Sequence, residues 1–159
     1  MIANLEDKKI TEIFKTSIIQ QTAYWSEVKK MQGVQSVAYN FKVKSSDLFN
    51  HPSDETYIVG DLLIIIQYLD ADHCIAYVPY GPEIEPDPEN QGYFLEQLSE
   101  SLRGYLPPSC IMIRFDLSWE SLWAKEEDCY DIHGNWIGVP EKRIQELRLN
   151  FNTENWNLR

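Results

Sequence analysis

A turn rich in tyrosine, glycine and proline follows an apolar segment in the middle of the chain and presents groups that could hydrogen-bond to a ligand or stack on it. Residues 75–78 are apolar and predict a buried strand. That strand must end at Pro79, because proline has no N–H group for a strand ladder. Gly81 allows a backbone conformation closed to other residues, and Pro82 keeps the outgoing chain extended. The turn therefore predicts an exposed aromatic hydroxyl at Tyr80, although a rigid connector without a ligand is the simpler interpretation.

A lysine near the start of the chain is a second candidate for contact with a ligand. A helix is predicted to begin after Thr22, a good N-cap residue, and to end at Gly33. Its apolar stripe consists of Tyr24, Trp25, Val28 and Met31. Lys29 lies one turn after Trp25, so its long side chain can cross an aromatic ring and deliver the ammonium group to a neighbouring cleft. A solvated lysine on the helix surface is an equally simple interpretation.

Two pairs of histidine and cysteine residues are close enough in sequence to suggest metal ligands. His73 is next to Cys74, and Cys129 precedes His133 by four residues. Neither pair has a second close pair that would complete four ligands, so no metal site is predicted. The three cysteines include no CxxC pair, which argues against a disulfide framework and favours a reducing cytoplasm.

Other catalytic and cofactor motifs are missing from the sequence. None of the seven glycines falls in a cluster after a predicted strand, where backbone N–H groups would have to meet the pyrophosphate of coenzyme A. No GxSxG, HExxH or Walker-type motif occurs either. We therefore predict no cofactor for this chain.

Composition predicts a soluble, globular and acidic protein. Of its 159 residues 43% are hydrophobic and 13% aromatic, which is enough for a core. The 14 basic and 25 acidic residues give a net charge of −11, which argues against nucleic-acid binding by this chain, beyond a local basic pair such as Lys29 and Lys30. The longest dense apolar run, residues 62–66, is too short to span a bilayer, and the N-terminus lacks a signal-peptide pattern.

The first half of the chain predicts two helices followed by three strands. Apolar residues at near-helical spacing predict a short amphipathic helix over residues 5–15, before the helix that carries Lys29. The period changes to two over residues 34–44, as in a strand with one solvated face. A polar loop is predicted over 45–55, and branched apolar residues over 57–69 predict a central strand. The short connections predict that these two strands and the strand before Pro79 form an antiparallel meander.

A helix and a further strand are predicted after the tyrosine turn. Asp87 is a suitable cap, Pro88 fits the first helical position, and Gly104 ends the helix. Residues 110–115 then predict a short apolar strand. Because a helix joins this strand to the one before Pro79, the two strands can be parallel neighbours.

Three segments resemble one family when they are taken in order. They are residues 21–30 (QTAYWSEVKK), 76–82 (AYVPYGP) and 113–116 (IRFD). Their order and rough spacing are similar to those of the Fem (FemABX) peptidoglycan-bridge aminoacyltransferases. The resemblance covers about residues 15–120 and the first half of that family's N-terminal acyltransferase-like region.

The resemblance implies a fold and an activity. The fold would be α+β and similar to the acyl-CoA N-acyltransferase (GNAT) fold, with a mixed, mainly antiparallel sheet flanked by helices. Family members transfer an amino acid from aminoacyl-tRNA to the peptide of a peptidoglycan precursor. This chain would bind the muramyl peptide, and a missing second half would hold the tRNA. A non-catalytic binding or scaffold module with the same fold is the alternative.

The resemblance also implies roles for particular residues. Lys29 matches the family lysine that contacts the precursor diphosphate, and an ammonium group suits a phosphate without fixed geometry. Asp116 matches the acid of the third segment and would orient or deprotonate an attacking amine; capping the next turn or pairing with Arg114 is the simpler interpretation. Arg114, Tyr80 and Gly81 would contribute to substrate binding. Family members usually have proline after the acid, whereas Leu117 follows here.

The C-terminal part carries weaker patterns. Ser118 could cap a turn, residues 132–137 suggest a tight turn, and residues 140–149 a short helix. We predict one subdomain over residues 1–149 and a tail or linker over 150–159 that leads toward a second subdomain. Four aromatic residues could form a sugar platform, a second small core or a surface for the missing half: Trp119, Trp123, Tyr130 and Trp136.

Overall fold

The computed structural model describes residues 2–50, 56–119 and 129–138. Within these ranges the chain has an α+β fold with one five-stranded mixed sheet. The strands are β1 (Ile2–Lys8), β2 (Gln35–Lys44), β3 (Tyr57–Tyr68), β4 (Cys74–Pro79) and β5 (Cys110–Asp116). The α-helices are α1 (Ala23–Met31), α2 (Ser45–Leu48) and α3 (Pro88–Arg103), and short 3-10 turns lie at Ile10–Glu12 and Ile19–Gln21.

The strands lie side by side in sequence order, and the pairing changes from antiparallel to parallel at the last pair. β2, β3 and β4 form the antiparallel meander that their short connections predict. β5 pairs parallel to β4, and α3 lies between these two strands in sequence, as the predicted crossover requires. The carboxyl ends of β4 and β5 are therefore neighbours.

The centre of the sheet is β3, and helices cover both of its faces. Its segment from Leu62 to Ile66 is at most 1% exposed, which confirms the predicted central strand. α3 covers one face, where Phe94 packs on Phe41 with ring centroids 5.9 Å apart. α1 covers the other face, where Trp25 packs against three buried residues: Ala38, Leu63 and Ile65.

The N-terminal segment is a strand, so the predicted helix over residues 5–15 is wrong. β1 pairs antiparallel with β2, and the 3-10 turn at Ile10–Glu12 follows it. Within β1 one residue, Leu5, is buried, whereas Ile10 and Ile13 reach the apolar cluster under α1 from the segment after the strand. Helical preference in this charged stretch is weak, and pairing with the edge of β2 outweighs it.

Helix α1 has the predicted ends but not the predicted stripe. The Thr22 hydroxyl accepts a hydrogen bond from the Trp25 N–H, and Gly33 adopts a φ of 76° just after the helix. Tyr24 and Met31 are 64% and 81% exposed, so the stripe is buried only in part. The buried residue of this helix is Ser26, which is not part of the predicted stripe. A small polar side chain therefore faces the sheet.

The segment predicted as a polar loop over residues 45–55 contains the short helix α2. Leu48, at the end of this helix, is fully buried. One apolar residue among polar neighbours is enough to pack the segment against the core. The predicted loop did not include this packing.

Contacts divide the chain into two compact units, Met1–Trp119 and Glu120–Arg159. The first unit holds the sheet. In the second, a bridge between Tyr130 and Trp136 closes the tight turn predicted over residues 132–137. Most of the turn predicted after Ser118, the helix predicted over 140–149, and the predicted boundary at residue 149 with the tail after it lie outside the described residues.

Candidate functional site

The carboxyl ends of the parallel strands β4 and β5 bring together side chains from two distant segments. In the ladder Tyr77 lies opposite Arg114, and Pro79 lies opposite Asp116. Tyr77, Arg114 and Asp116 share one face of the sheet, because alternate residues of a strand do so. α1 covers the same face, since Tyr77 and Trp25 pack against the same apolar cluster. We call Tyr77, Arg114 and Asp116 the strand-end cluster.

Asp116 is the centre of the strand-end cluster. Its Oδ2 accepts a hydrogen bond of 2.7 Å from the Tyr77 hydroxyl. Arg114 donates from Nε to Oδ1 at 3.1 Å and from Nη2 to Oδ2 at 3.3 Å. The guanidinium carbon of Arg114 also lies 5.4 Å from the centroid of the Tyr77 ring, within cation–π range. The side chains of Arg114 and Asp116 are 61% and 36% exposed, so a ligand can reach both from solvent.

The contacts in this cluster change the proton affinities of two members. The Tyr77 hydrogen bond, with a further contribution from Arg114 and some opposition from burial, holds the pKa of Asp116 below its ordinary value. Burial first, and then the contact with Asp116, raises the pKa of Tyr77. Asp116 is therefore ionised and Tyr77 protonated at neutral pH. Because a carboxylate with a lowered pKa is a weak base, this geometry favours orienting a ligand over removing its proton.

In the turn after β4 the left-handed backbone conformation is found at a different residue from the one predicted. Tyr80 has a φ of 52°, whereas Gly81 is outside the left-handed region, so the predicted backbone conformation of Gly81 is wrong. Glycine is required there for a different reason, because a Cβ would lie 2.9 Å from the side-chain amide of the buried Gln21. A tyrosine in left-handed backbone costs roughly 1–2 kcal/mol, and such strain is typical of functional sites. Tyr80 is 48% exposed, as predicted.

Trp119 fixes the residues that follow this turn. Its indole N–H donates to the carbonyl oxygen of Pro82 at 2.9 Å, and its ring stacks on Phe94 with centroids 6.4 Å apart. Trp119 therefore packs within the first unit. The edge-to-face pair of Tyr130 and Trp136 belongs to the second unit.

Lys29 follows its predicted course over an aromatic ring. Its Nζ lies 5.0 Å from the centroid of a Trp25 ring and donates to the side-chain oxygen of Gln32 at 3.1 Å. It is carried by the helix on the face of the strand-end cluster, but no contact between described residues joins it to that cluster. Its role toward a phosphate stays a prediction.

A buried carboxylate elsewhere in the sheet was not among the predicted site residues. Asp61 accepts hydrogen bonds from Lys8 at 2.8 and 2.9 Å and from Asn40 at 2.8 Å. The backbone N–H of Phe14 donates to it at 2.6 Å. A charge inside an otherwise apolar strand was the available signal, because a buried charge needs a partner. The buried Gln21 gave no such signal, since glutamine before a helix is ordinary.

Neither a metal cluster nor a membrane helix is found in the part of the chain that the structure describes. No group of three or more histidine, cysteine, aspartate and glutamate residues there could hold a metal ion. His73 Nδ1 lies 2.9 Å from an Asp70 oxygen instead. The described helices are all too short or too polar to cross a bilayer.

Comparison of the chain with protein-family models, curated proteins and solved structures found no match in any of the three. The features that bear on function are therefore the geometry of the strand-end cluster, the strained turn at Tyr80 and the three resembling segments.

Proposed function

We propose that this chain is the N-terminal, GNAT-like part of a Fem-type aminoacyltransferase and binds the muramyl-peptide side of a peptidoglycan precursor. The observation that carries this proposal is the 2.7 Å hydrogen bond between Tyr77 and Asp116, which joins two of the three resembling segments at the carboxyl ends of parallel strands. Ligands of open sheets with parallel strands bind at such ends. The amino acid would come from aminoacyl-tRNA in the cytoplasm, held by a second half of the protein.

Arg114 is the group best placed to bind an anionic part of the precursor. Its Nε and one N–H of Nη2 are used by Asp116, and its other donors have no partner among the described residues. A guanidinium group carries five N–H donors in a fixed plane, and Asp116 with Tyr77 holds that plane in one orientation. A carboxylate or phosphate can then be bound by an arginine that is already positioned.

The remaining candidate residues would surround this anion site. Lys29 supplies a flexible ammonium for the diphosphate, at the end of α1 on the same face of the sheet. Tyr80 is exposed and would contact the peptide, and the neighbouring Gly81, which is buried, would shape the turn that presents it. These roles stay tied to the resemblance and to the proposal.

The cluster does not supply complete transferase chemistry. Attack by an amine requires a group that accepts its proton, and the lowered pKa of Asp116 makes this carboxylate a poor acceptor. We therefore assign Asp116 an orienting role, and we expect no aminoacyl transfer by this chain alone. Robust transfer from charged tRNA by the isolated chain would contradict this assignment.

A non-catalytic scaffold module is the second candidate. It is favoured by the fact that Asp116 already has partners within the chain in Tyr77 and Arg114. In that case the cluster would hold β4 and β5 together and would not bind a ligand.

Calorimetric titration with a nucleotide-linked muramyl peptide separates the two candidates. Arg114→Gln should weaken binding about tenfold or more, because hydrogen bonds to charged groups contribute about 1.5–3 kcal/mol. Arg103→Gln is the matched control, since Arg103 is also exposed and paired to a carboxylate, Glu100, but lies on α3. Failure of the unmodified chain to bind, or equal affinity of all three proteins, would favour the scaffold.

A further inference from the structure

Strands β3 and β4 pair over a short distance and then separate. The ladder joins residues 65–68 of β3 to β4, whereas β3 itself begins at Tyr57. On the side away from β2, residues 57–64 therefore have no neighbouring strand in the part of the chain that the structure describes. An unpaired strand edge presents N–H and C=O groups that another extended chain can pair with.

A side-chain amide occupies the first position beyond this ladder. Gln21 Nε2 donates to the carbonyl oxygens of Leu63 at 3.3 Å and Pro79 at 2.6 Å. Gln21 Oε1 accepts from the Leu63 N–H at 2.8 Å. A peptide group of a neighbouring strand would make bonds of this kind. Gln21 is 4% exposed and thus substitutes for a peptide group between the two strands.

The next two positions along the edge are open. Val59 and Asp61 direct their backbone polar groups to the same side as Leu63, because this direction alternates along a strand. Within the described residues, the backbone N–H and C=O groups of Val59 and Asp61 have no hydrogen-bond partner. Gly60 and Leu62 face β2 instead. The open positions offer two donors and two acceptors to an added strand.

A cavity of about 260 Å³ lies against this open edge. Its lining includes Val59, Gly60 and Asp61, with Gln21 at the position where the strands separate. Phe14 and Ile84 add apolar surface. An extended chain advances about 3.4 Å per residue, so the open edge matches about three residues of a ligand.

The buried carboxylate of Asp61 holds Phe14, which forms one wall of the cavity, in place. The Phe14 N–H donates to Asp61, and Lys8 Nζ lies 3.6 Å from the centroid of the Phe14 ring. Lys8 in turn is paired to Asp61. A wall fixed in this way spares a ligand the entropic cost of ordering it.

The acidic character of the chain as a whole favours a cationic ligand. The chain carries a net charge of −11, and Glu83 lies in the lining of the cavity. Lys15 is a cation in the lining, and Lys8 is neutralised by Asp61. Electrostatic complementarity therefore predicts a preference for basic residues beside the bound stretch.

We propose that this cavity binds a short extended stretch of a partner polypeptide, flanked by basic residues, as an added strand on the edge of β3. Strand addition recognises the peptide backbone through hydrogen bonds, and pockets for alternate side chains add selectivity. Val59 and Asp61 supply the hydrogen bonds here, and the surface of Phe14 and Ile84 accepts one apolar side chain. The site goes beyond precursor binding at the strand-end cluster and does not depend on it.

Amide hydrogen exchange with a model peptide, acetyl-KTVTVTK-amide, tests the proposal directly. The Val59 and Asp61 amides should exchange rapidly in the free protein and at least about tenfold more slowly with saturating peptide. The Gly60 and Leu62 amides are the internal control, because the β2 ladder protects them in both states. Slow exchange of Val59 and Asp61 in the free protein, or no added protection at millimolar peptide, would overturn the proposal.

Two N-methylated peptides provide a matched test that needs no protein variant. One carries methyl groups on the backbone nitrogens of the two valines and the other on those of the three threonines. Because the N–H groups of alternate residues point to the same edge of a strand, each peptide has one blocked edge. One of them should lose about tenfold or more in affinity while the other binds like the parent. Equal binding of both would overturn backbone recognition.

Exchange of the flanking lysines for glutamates should also weaken binding, and equal affinity would overturn the charge preference. Arg114→Gln should leave peptide binding unchanged. Loss of peptide binding in that variant would mean that the peptide occupies the strand-end cluster, which would overturn this proposal without bearing on precursor binding.

Discussion

Two aspartates on the same face of the sheet, Asp61 and Asp116, are each paired with a cation but lie in opposite surroundings. The Asp61 side chain is 6% exposed and its partner Lys8 14% exposed. Asp116 and Arg114 are 36% and 61% exposed. Asp61 holds the segment around Phe14 against the central strand, whereas Asp116 joins the ends of two strands at the surface.

The difference in exposure distinguishes an aspartate that stabilises the fold from one that can contact a ligand. An exposed ion pair contributes about 0–1 kcal/mol, so its groups can exchange partners with a ligand at little cost. Removing one member of a buried pair leaves the other charge uncompensated and costs about 3–5 kcal/mol. We therefore assign Asp61 to the fold and Asp116 to the candidate site.

The largest expected effect is on stability, from Asp61→Leu. This change leaves Lys8 buried without its carboxylate and removes the acceptor for Asn40 and the Phe14 N–H. The free energy of unfolding should fall by about 3–5 kcal/mol, measured by urea denaturation.

The double variant Lys8→Met with Asp61→Leu is the control for that change. It removes both charges together and should lie closer to the unmodified protein than the single variant does. A single variant that loses less than about 1 kcal/mol would contradict a structural role for the buried pair.

Gln21→Ala should have the next largest effect. It leaves the Leu63 N–H and two carbonyl oxygens without their partner, and an unsatisfied buried polar group costs about 1–3 kcal/mol. Gln67→Ala is the control and should change stability little, because Gln67 is exposed on β3, the strand that carries Leu63. Equal melting curves for the two variants would mean that water replaces the Gln21 amide without loss.

The sequence predicted the central sheet well because its signals are local. Continuous apolar residues at 62–66 and alternating residues over 39–44 predict the observed burial, whereas Ala38, predicted to lie on a solvated face, is buried beneath α1. The N-terminal strand could not be predicted in this way, because its partner β2 lies about thirty residues away in the sequence and its own pattern is weak.

The sequence predicts several residues of the candidate site but not the contacts between them. Tyr80, Arg114 and Asp116 stood out through their segments, whereas the hydrogen bond from Tyr77 to Asp116 depends on a parallel register that no local pattern specifies. Gln21 was missed for the same reason. Its function as a substitute peptide group exists only once β3 and β4 separate.

A smaller effect is expected on ligand binding from Lys29→Ala. Loss of one partly solvated ammonium should weaken binding of the nucleotide-linked precursor several-fold, by about 1 kcal/mol, with little change in melting temperature. Lys30→Ala is the matched control, because the neighbouring lysine is exposed and pairs with Glu27. Equal affinity of both variants in calorimetry would leave Lys29 as a solvated helix residue.

The smallest expected effect is on stability, from Asp116→Asn. Because the folded pKa of Asp116 lies below its ordinary value of 3.8, its contribution to stability is present above pH 3.8 and is lost as the pH falls through the lowered pKa. The variant should be less stable than the unmodified protein at pH 7 by less than about 1 kcal/mol, and the difference should vanish in acid. A larger loss in denaturant unfolding would place Asp116 with Asp61 as a structural residue.

The division between an exposed binding cluster and a buried structural pair is tested most directly by NMR titration of the chain with a nucleotide-linked muramyl peptide. Backbone amide signals of Tyr77, Tyr80, Gly81, Arg114 and Asp116 should shift as the ligand saturates, while those of Lys8 and Asn40 should not. No shifts at the carboxyl ends of β4 and β5, or shifts confined to the surroundings of Asp61, would contradict the assignment of the strand-end cluster as the binding site.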